Sequence, residues 1–183
     1  MELNILDWFQ TLHTPILDKI MTSITKLGDA GIFWIILTLL FLIIPKMRKT
    51  GIIMAAALIM DLLICNVAVK NLAARTRPYE VNTSVQLLVA KLHDYSFPSG
   101  HTAASFASVT ALYLAGERKL WKPALVLACL IAVSRLYLYV HYPTDVLGGM
   151  IFGILAGFAG YWIVKLLETK LSGRKNAGKQ VRR

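Results

Sequence analysis

The chain has 183 residues, 56% of them hydrophobic and only 16% charged, with a formal net charge of +10 and a mean hydropathy of +0.58. Soluble domains are closer to half apolar and a quarter charged, so this composition excludes a disordered, collagen-like or ordinary soluble chain and points to the bilayer as solvent. A crossing takes about 20 apolar residues, which leaves room for five or six spans and no separate soluble domain. In such a chain the basic excess reads as positive-inside anchoring, not as a nucleic-acid footprint.

In chain order, residues 1–28 place Leu3, Leu6, Phe9, Ile16, Ile20 and Ile24 at helical spacing, interrupted by Asp7, Asp18, Lys19 and Lys26. The pattern predicts an amphipathic interfacial helix, alone or followed by a short span. Met1–Lys19 lacks a basic start ahead of a compact apolar core and does not read as a cleaved signal. Ala30–Pro45 and Gly51–Val69 are spans, the second carrying Asp61 and Asn66. Residues 70–100 hold Pro78 and Pro98, are too polar to cross, and form a loop. His101–Ala115, Pro123–Tyr139 and Asp145–Leu167 are further spans, the last with Gly148, Gly149, Gly153, Gly157 and Gly160 spaced for close helix contact in lipid. Cys65 and Cys129 lie in apolar runs with no C-x-x-C pair, and read as buried free thiols.

The expected fold is an all-α integral membrane protein with about six transmembrane helices. Residues 1–167 form one embedded domain, 70–100 its active-site loop, and 168–183 a basic, disordered cytoplasmic tail. Orientation follows from charge. Lys46, Arg48 and Lys49 lie in one turn, Arg118, Lys119 and Lys122 in another, and seven basic residues follow from Lys165 onward. With alternating spans these share the cytoplasmic side, and 70–100 and 140–144 share the outer face. If residues 1–28 include a span, the N-terminus is cytoplasmic as well. Tyr137, Tyr139 and Tyr142 read as an interfacial aromatic belt or headgroup entrance, and His13 as interfacial.

Three polar clusters fall on that outer face: Lys70 with Arg75, Arg77 and Pro78; Pro98-Ser99-Gly100-His101; and Ser134-Arg135 followed by His141 and Asp145. Singly they read as snorkelling cations, a helix cap and a helix-edge pair. Together they put several cations, two histidines and a carboxylate where ionisable groups are expensive and need partners. That set suits a phosphate: Lys and Arg for its oxygens, a helix start at Gly100 offering backbone N–H groups, and two histidines to divide nucleophile and acid. Which histidine takes which role stays open from the residue pattern alone.

Lys70-x6-Arg77-Pro78, Pro98-Ser99-Gly100-His101 and Ser134-Arg135-x5-His141-x3-Asp145 resemble, in order and without departure, the three signature motifs of the type 2 phosphatidic acid phosphatase family. This family of membrane lipid phosphatases and isoprenoid-diphosphate phosphatases is related to vanadium haloperoxidases. The resemblance implies His141 as nucleophile through a phosphohistidine, Asp145 orienting it, and His101 protonating the leaving oxygen. It implies Lys70, Arg77, Ser99, Gly100 and Arg135 as the phosphate-binding residues.

No metal or other cofactor is expected: near the site only Asp145, Glu80 and Asp94 offer carboxylates, and fixed cations match the phosphate charge. Asp94 and His93 read as solvated loop residues, with assistance in substrate binding as the alternative, and no motif covers Asp61. The expected partner is a lipid phosphate in the bilayer (undecaprenyl diphosphate, phosphatidic acid or phosphatidylglycerol phosphate), with no nucleic acid; oligomeric state is left open. The alternatives are a lipid phosphotransferase using the same residues and a non-catalytic transporter or scaffold. The expected location is the cell membrane, multi-pass, with the site outside and the C-terminus cytoplasmic.

Overall fold

A computed structural model describes the backbone of residues 1–180 and the side chains of residues 1–172, and among these every regular element is helical. Helices α1 (Glu2–Gln10) and α2 (Pro15–Gly28) precede α3 (Ile32–Ile43) and α4 (Arg48–Asp61). A π-helical stretch, Leu62–Val69, carries α4 on into the single turn of α5 (Lys70–Ala73). The short α6 (Pro78–Val81) and an irregular loop lead to α7 (Gly100–Leu114), α8 (Trp121–Tyr137) and α9 (Pro143–Gln180). The membrane core holds the six helices expected from the sequence, α2, α3, α4, α7, α8 and α9, with α2 and α3 joined in one crossing run.

Three helical runs, Pro15–Ile43, Pro45–Val81 and Pro143–Ser172, of 29, 37 and 30 residues, are long and apolar enough to cross a bilayer. Outward faces are apolar, with Ile36, Leu40 and Ile43 on α3, Val126 and Val133 on α8, and Ile151 and Leu155 on α9 all exposed. Such a surface is stable against lipid and not against water.

The centre is α7, buried without interruption from Thr102 to Leu112. Its hydroxyls are satisfied locally: Ser105 donates to the His101 carbonyl at 2.7 Å and Ser108 to the Ala104 carbonyl at 2.9 Å, while Ser105 accepts from Trp34 Nε1 at 2.9 Å. The glycines of α9 let it lie directly on this helix. A Cβ at Gly153 would stand 2.3 Å from the Ala103 carbonyl oxygen, and one at Gly149 would stand 2.6 Å from that of Ser99. The small residues therefore fix how α7 and α9 meet, and with them the motifs at their N-termini.

The two ends of the bundle differ. At one end Thr50 donates to Glu117 at 2.7 Å and Lys49 pairs with Glu168 at 2.7 Å, gathering the basic turns 46–49 and 116–122 beside α9. At the other, Glu2 accepts from Arg75 at 2.5 Å and from the Thr144 hydroxyl at 2.6 Å. The N-terminus is thus at the end opposite the basic turns, not beside them as expected if residues 1–28 held a crossing of their own. The reason is the junction of α2 and α3. Left-handed conformations at Ala30 and Gly31 (φ of 48° and 67°) kink the chain without reversing it, so both helices share one run.

Three further expectations are corrected. Helix α9 does not end at Leu167 but continues through residues 168–180, where no Pro or β-branched run interrupts it; residues 181–183 of the expected tail lie outside the described residues. Tyr137, Tyr139 and Tyr142 form no lipid-facing belt: they are buried under α1, with Tyr137 donating to Asp18 at 2.5 Å and Tyr139 to Asp7 at 2.7 Å. Both cysteines are free, but only Cys65 is buried; Cys129 is exposed on the apolar exterior.

Candidate active site

Each motif is delivered by a helix end. Lys70 opens α5, directly after the π-helical stretch, and is only 7% exposed. Arg77 precedes Pro78, which forces the residue before it into extended backbone. With Pro78 as the first residue of α6 and the Glu80 carboxylate accepting the Arg77 N–H at 3.0 Å, the arginine is locked at a helix entrance. Glu80, one of the three carboxylates the sequence offered near the site, is spent on that cap. Ser99 caps α7, accepting from the Thr102 N–H and hydroxyl at 3.5 and 3.0 Å, and its own N–H donates to the Asp145 carbonyl at 3.0 Å. Gly100 is where backbone meets cation: a Cβ there would lie 3.1 Å from Asn66 Oδ1 and 4.0 Å from Lys70 Nζ.

The fold brings Lys70, Arg77, Gly100, His101 and His141 to one end of a cavity of about 670 Å³. Away from them the cavity runs between α3 and α4 and is lined by Ile35, Leu39, Leu42, Leu58, Ile59 and Leu62. A charged end and an apolar slot form one continuous space. Ser99, Arg135 and Asp145 do not line it; they stand behind the residues that do.

His141 is 1% exposed, with Nε2 3.4 Å from Arg77 Nη1 and Nδ1 3.6 Å from Asp145 Oδ2. The second distance is longer than a hydrogen bond, and Nδ1 has no hydrogen-bond partner among the described residues. Burial, and the guanidinium charges of Arg135 and Arg77, push the imidazole down to about 3 against the pull of Asp145. The ring is therefore neutral across the physiological range. A proton on Nδ1, facing the carboxylate, leaves Nε2 with its lone pair toward Arg77.

Asp145 is fully buried and held by other groups. Its Oδ2 accepts from Ser96 at 2.5 Å and the Tyr142 N–H at 2.8 Å, and its Oδ1 accepts from Arg75 at 2.7 Å. Arg75 also donates to Thr144 at 2.6 Å and lies 3.9 Å over the Tyr142 ring. Ser96, Arg75 and Glu2 thus form a brace behind the histidine. Sequence reading had placed Arg75 with the phosphate cations and had not singled out Ser96 or Glu2 at all.

His101 has an unforeseen partner: its Nε2 lies 2.8 Å from Asp29 Oδ1. Asp29 sits at the α2–α3 kink, between Gly28 and Ala30, and Gly28 admits the imidazole because any Cβ there would be 2.7 Å from His101 Cδ2. The signal was present as a lone acid in a Gly-flanked break just ahead of an apolar span.

Arg135, 2% exposed, has one hydrogen-bond partner, Thr25, through Nη1. Its Nε and Nη2 have none among the described residues. A buried guanidinium without a bonded carboxylate is costly. The neighbouring cations are matched instead by Asp94, whose Oδ1 accepts from Arg77 Nη2 at 2.6 Å and whose Oδ2 pairs with Lys70. This corrects the reading of Asp94 as a solvated loop residue. Burial raises its carboxyl, but the hydrogen bonds and charges of Lys70 and Arg77 prevail and hold it at about 2. His93 is drawn into no such contact. Among residues with described side chains, no group of three or more His, Cys, Asp or Glu is placed to hold a metal ion. Asp61, the last residue of α4, lines the apolar part of the cavity, and its Oδ1 is unpaired among the described residues.

Known proteins resemble this chain in sequence and fold. An undecaprenyl-diphosphatase of Sulfolobus acidocaldarius is 32% identical over 142 residues, 78% of this chain and 68% of that protein. Among solved structures, LpxE of Aquifex aeolicus matches with a TM-score of 0.75 and 28% identity over 87% of this chain and 93% of its own. A PAP2-type phosphatidylglycerolphosphate phosphatase of Bacillus subtilis matches with a TM-score of 0.69 and 29% identity over 91% and 84%. The profile of the PAP2 superfamily matches residues 50–168, the stretch that carries all three motifs, and the chain belongs to that superfamily.

Proposed function

We propose that this membrane phosphatase hydrolyses a lipid phosphomonoester or isoprenoid diphosphate through a phosphohistidine on His141, without a metal ion. The observation that carries the reading is Arg135: a buried guanidinium with two unpaired nitrogens, standing behind the histidines and cations that line the charged end of an apolar slot. An anion attached to a hydrocarbon tail satisfies both halves of that space at once. Candidate substrates are undecaprenyl diphosphate, phosphatidic acid and phosphatidylglycerol phosphate.

In the first step His141 Nε2 attacks phosphorus and the bond from phosphorus to the leaving oxygen breaks. His101 gives its proton to that oxygen, which departs as a lipid alcohol or a lipid monophosphate. In the second, water attacks phosphorus, His101 takes its proton, the P–N bond breaks, and inorganic phosphate leaves. Lys70, Arg77 and Arg135, with Ser99 and the Gly100 N–H, neutralise the non-bridging oxygens as charge builds. Asp145 keeps the Nδ1 proton of His141 in place, and Asp29, 2.8 Å from His101 Nε2, orients that ring.

The positive-inside rule puts the Lys49–Glu168 end in the cytoplasm and this site, with the N-terminus, outside. The test is phosphate release by purified protein in detergent from the three lipids, with EDTA present. Release by wild type and not by His141→Ala is expected. Comparable release by the variant removes His141 as nucleophile, and loss of activity in EDTA with recovery on adding a divalent ion removes the metal-free mechanism.

A further inference from the structure

The charged end of the cavity already holds an anion, and it belongs to the chain. Asp94 reaches in from the 82–99 loop with its side chain 52% exposed, onto cations whose side chains are only 2% (Arg77) and 8% (Lys70) exposed. Its carboxylate spans both of them, and its backbone carbonyl accepts from Arg77 Nε at 2.8 Å. Arg77 Nη2 also donates to the Tyr95 carbonyl at 3.3 Å, while Nη1 donates to the Val140 carbonyl at 2.8 Å and lies 3.4 Å from His141 Nε2. The Asp94 carboxylate and the reactive imidazole therefore sit on two nitrogens of one guanidinium. A phosphoryl group placed for attack by Nε2, with its oxygens on Lys70 and Arg77, needs the positions that carboxylate occupies.

We propose that Asp94 is a built-in competitor for the phosphate seat, neutralising Lys70 and Arg77 in the free enzyme and yielding them to the phosphoryl group of the substrate. The inference rests on the phosphate-site reading above. Its physical basis is that two buried cations cannot be left without a counter-charge, while a carboxylate and a phosphate dianion repel one another across the same pair of donors. Asp94 is suited to leaving because it is the exposed partner, on a loop, whereas the cations are anchored on α5 and at the entrance to α6. The arrangement weakens binding of every phosphate, inorganic product included, and so favours release of the product after the second step.

The test measures inhibition of full-length enzyme by inorganic phosphate and orthovanadate, with phosphatidic acid as substrate, for wild type, Asp94→Asn and Asp94→Glu. Asp94→Asn should lower both inhibition constants at least tenfold, and Asp94→Glu, which keeps the competing charge, should stay within threefold of wild type. Thermal melting provides a second reading should Asp94→Asn be fragile. Without ligand it should melt below wild type, and millimolar phosphate should restore it, because phosphate takes the vacated seat. An Asp94→Asn inhibition constant that is unchanged or higher, or a melting defect that phosphate does not repair, overturns the proposal and makes Asp94 a positioning residue for Lys70 and Arg77. If neither wild type nor Asp94→Asn is inhibited by either anion, the phosphate-site reading falls with it.

Discussion

Replacing Arg135 with Met tests the site through two effects of opposite sign. The side chain keeps most of its length and loses its charge. In the free protein this removes two unpaired buried nitrogens, Nε and Nη2, at the loss of one bond to Thr25. An unsatisfied buried donor costs roughly 1–3 kcal/mol and an ordinary hydrogen bond contributes about 1 kcal/mol, so the ligand-free melting temperature should hold or rise. With a phosphoryl group bound, the same two nitrogens become charge-assisted donors of about 1.5–3 kcal/mol each, together about 3–6 kcal/mol. At about 1.4 kcal/mol per tenfold, kcat/KM should fall roughly 10²- to 10⁴-fold. The measurements are phosphate release from phosphatidic acid micelles and thermal melting with and without vanadate, whose stabilising shift should be lost in the variant. A fall in kcat/KM of less than tenfold, or a ligand-free melting temperature several degrees below wild type, would mean that Arg135 is a structural arginine of the α2–α8 contact and that the reasoning is wrong.

Other consequences are as direct. Because His141 titrates near 3, kcat/KM corrected for substrate ionisation should change less than threefold between pH 7 and pH 5; at the ordinary value of 6.5 only about 3% of the ring would be neutral at pH 5, so a tenfold or greater loss would contradict the neutral buried imidazole. Gly153→Ala should lower the melting temperature, since its Cβ would meet the Ala103 carbonyl oxygen at 2.3 Å and overpacking costs about 1–3 kcal/mol; an unchanged melting curve would show that α7 and α9 can part freely. Asp61→Leu should stabilise the protein by about 1–3 kcal/mol by removing an unpaired buried oxygen, and a lower melting temperature would reveal a partner for that carboxylate. Asp29→Asn should lower kcat with little change in KM, because Asp29 orients the His101 ring from 2.8 Å; a selective rise in KM would place it in substrate binding instead.

Much of this molecule is legible in one dimension because membrane proteins write their constraints locally. Apolar runs of crossing length, basic turns and an evenly spaced glycine stripe each depend on neighbours in the chain, and α3, α4, α7, α8 and α9 lie close to where those patterns put them. The motif residues were legible for a related reason: Lys70, Arg77, His101, Arg135 and His141 are types too costly at a membrane face to be there without partners. What local patterns do not carry is pairing between distant segments. Asp29 and His101 are 72 residues apart and Arg75 and Glu2 are 73 apart, and no periodicity links them.

The amino-acid sequence by itself determined the solvent, the helical architecture, the family and the inventory of charged groups, since each follows from composition or from short spacings. The tertiary structure alone decided which acid serves which base. It gave Asp29 to His101, set Ser96 and Arg75 behind Asp145, laid Asp94 across Lys70 and Arg77, and left Arg135 unpaired. Those choices depend on distances of 2.5–2.8 Å between side chains far apart in the chain, which are set by how closely α7 and α9 pack and how α2 kinks into α3.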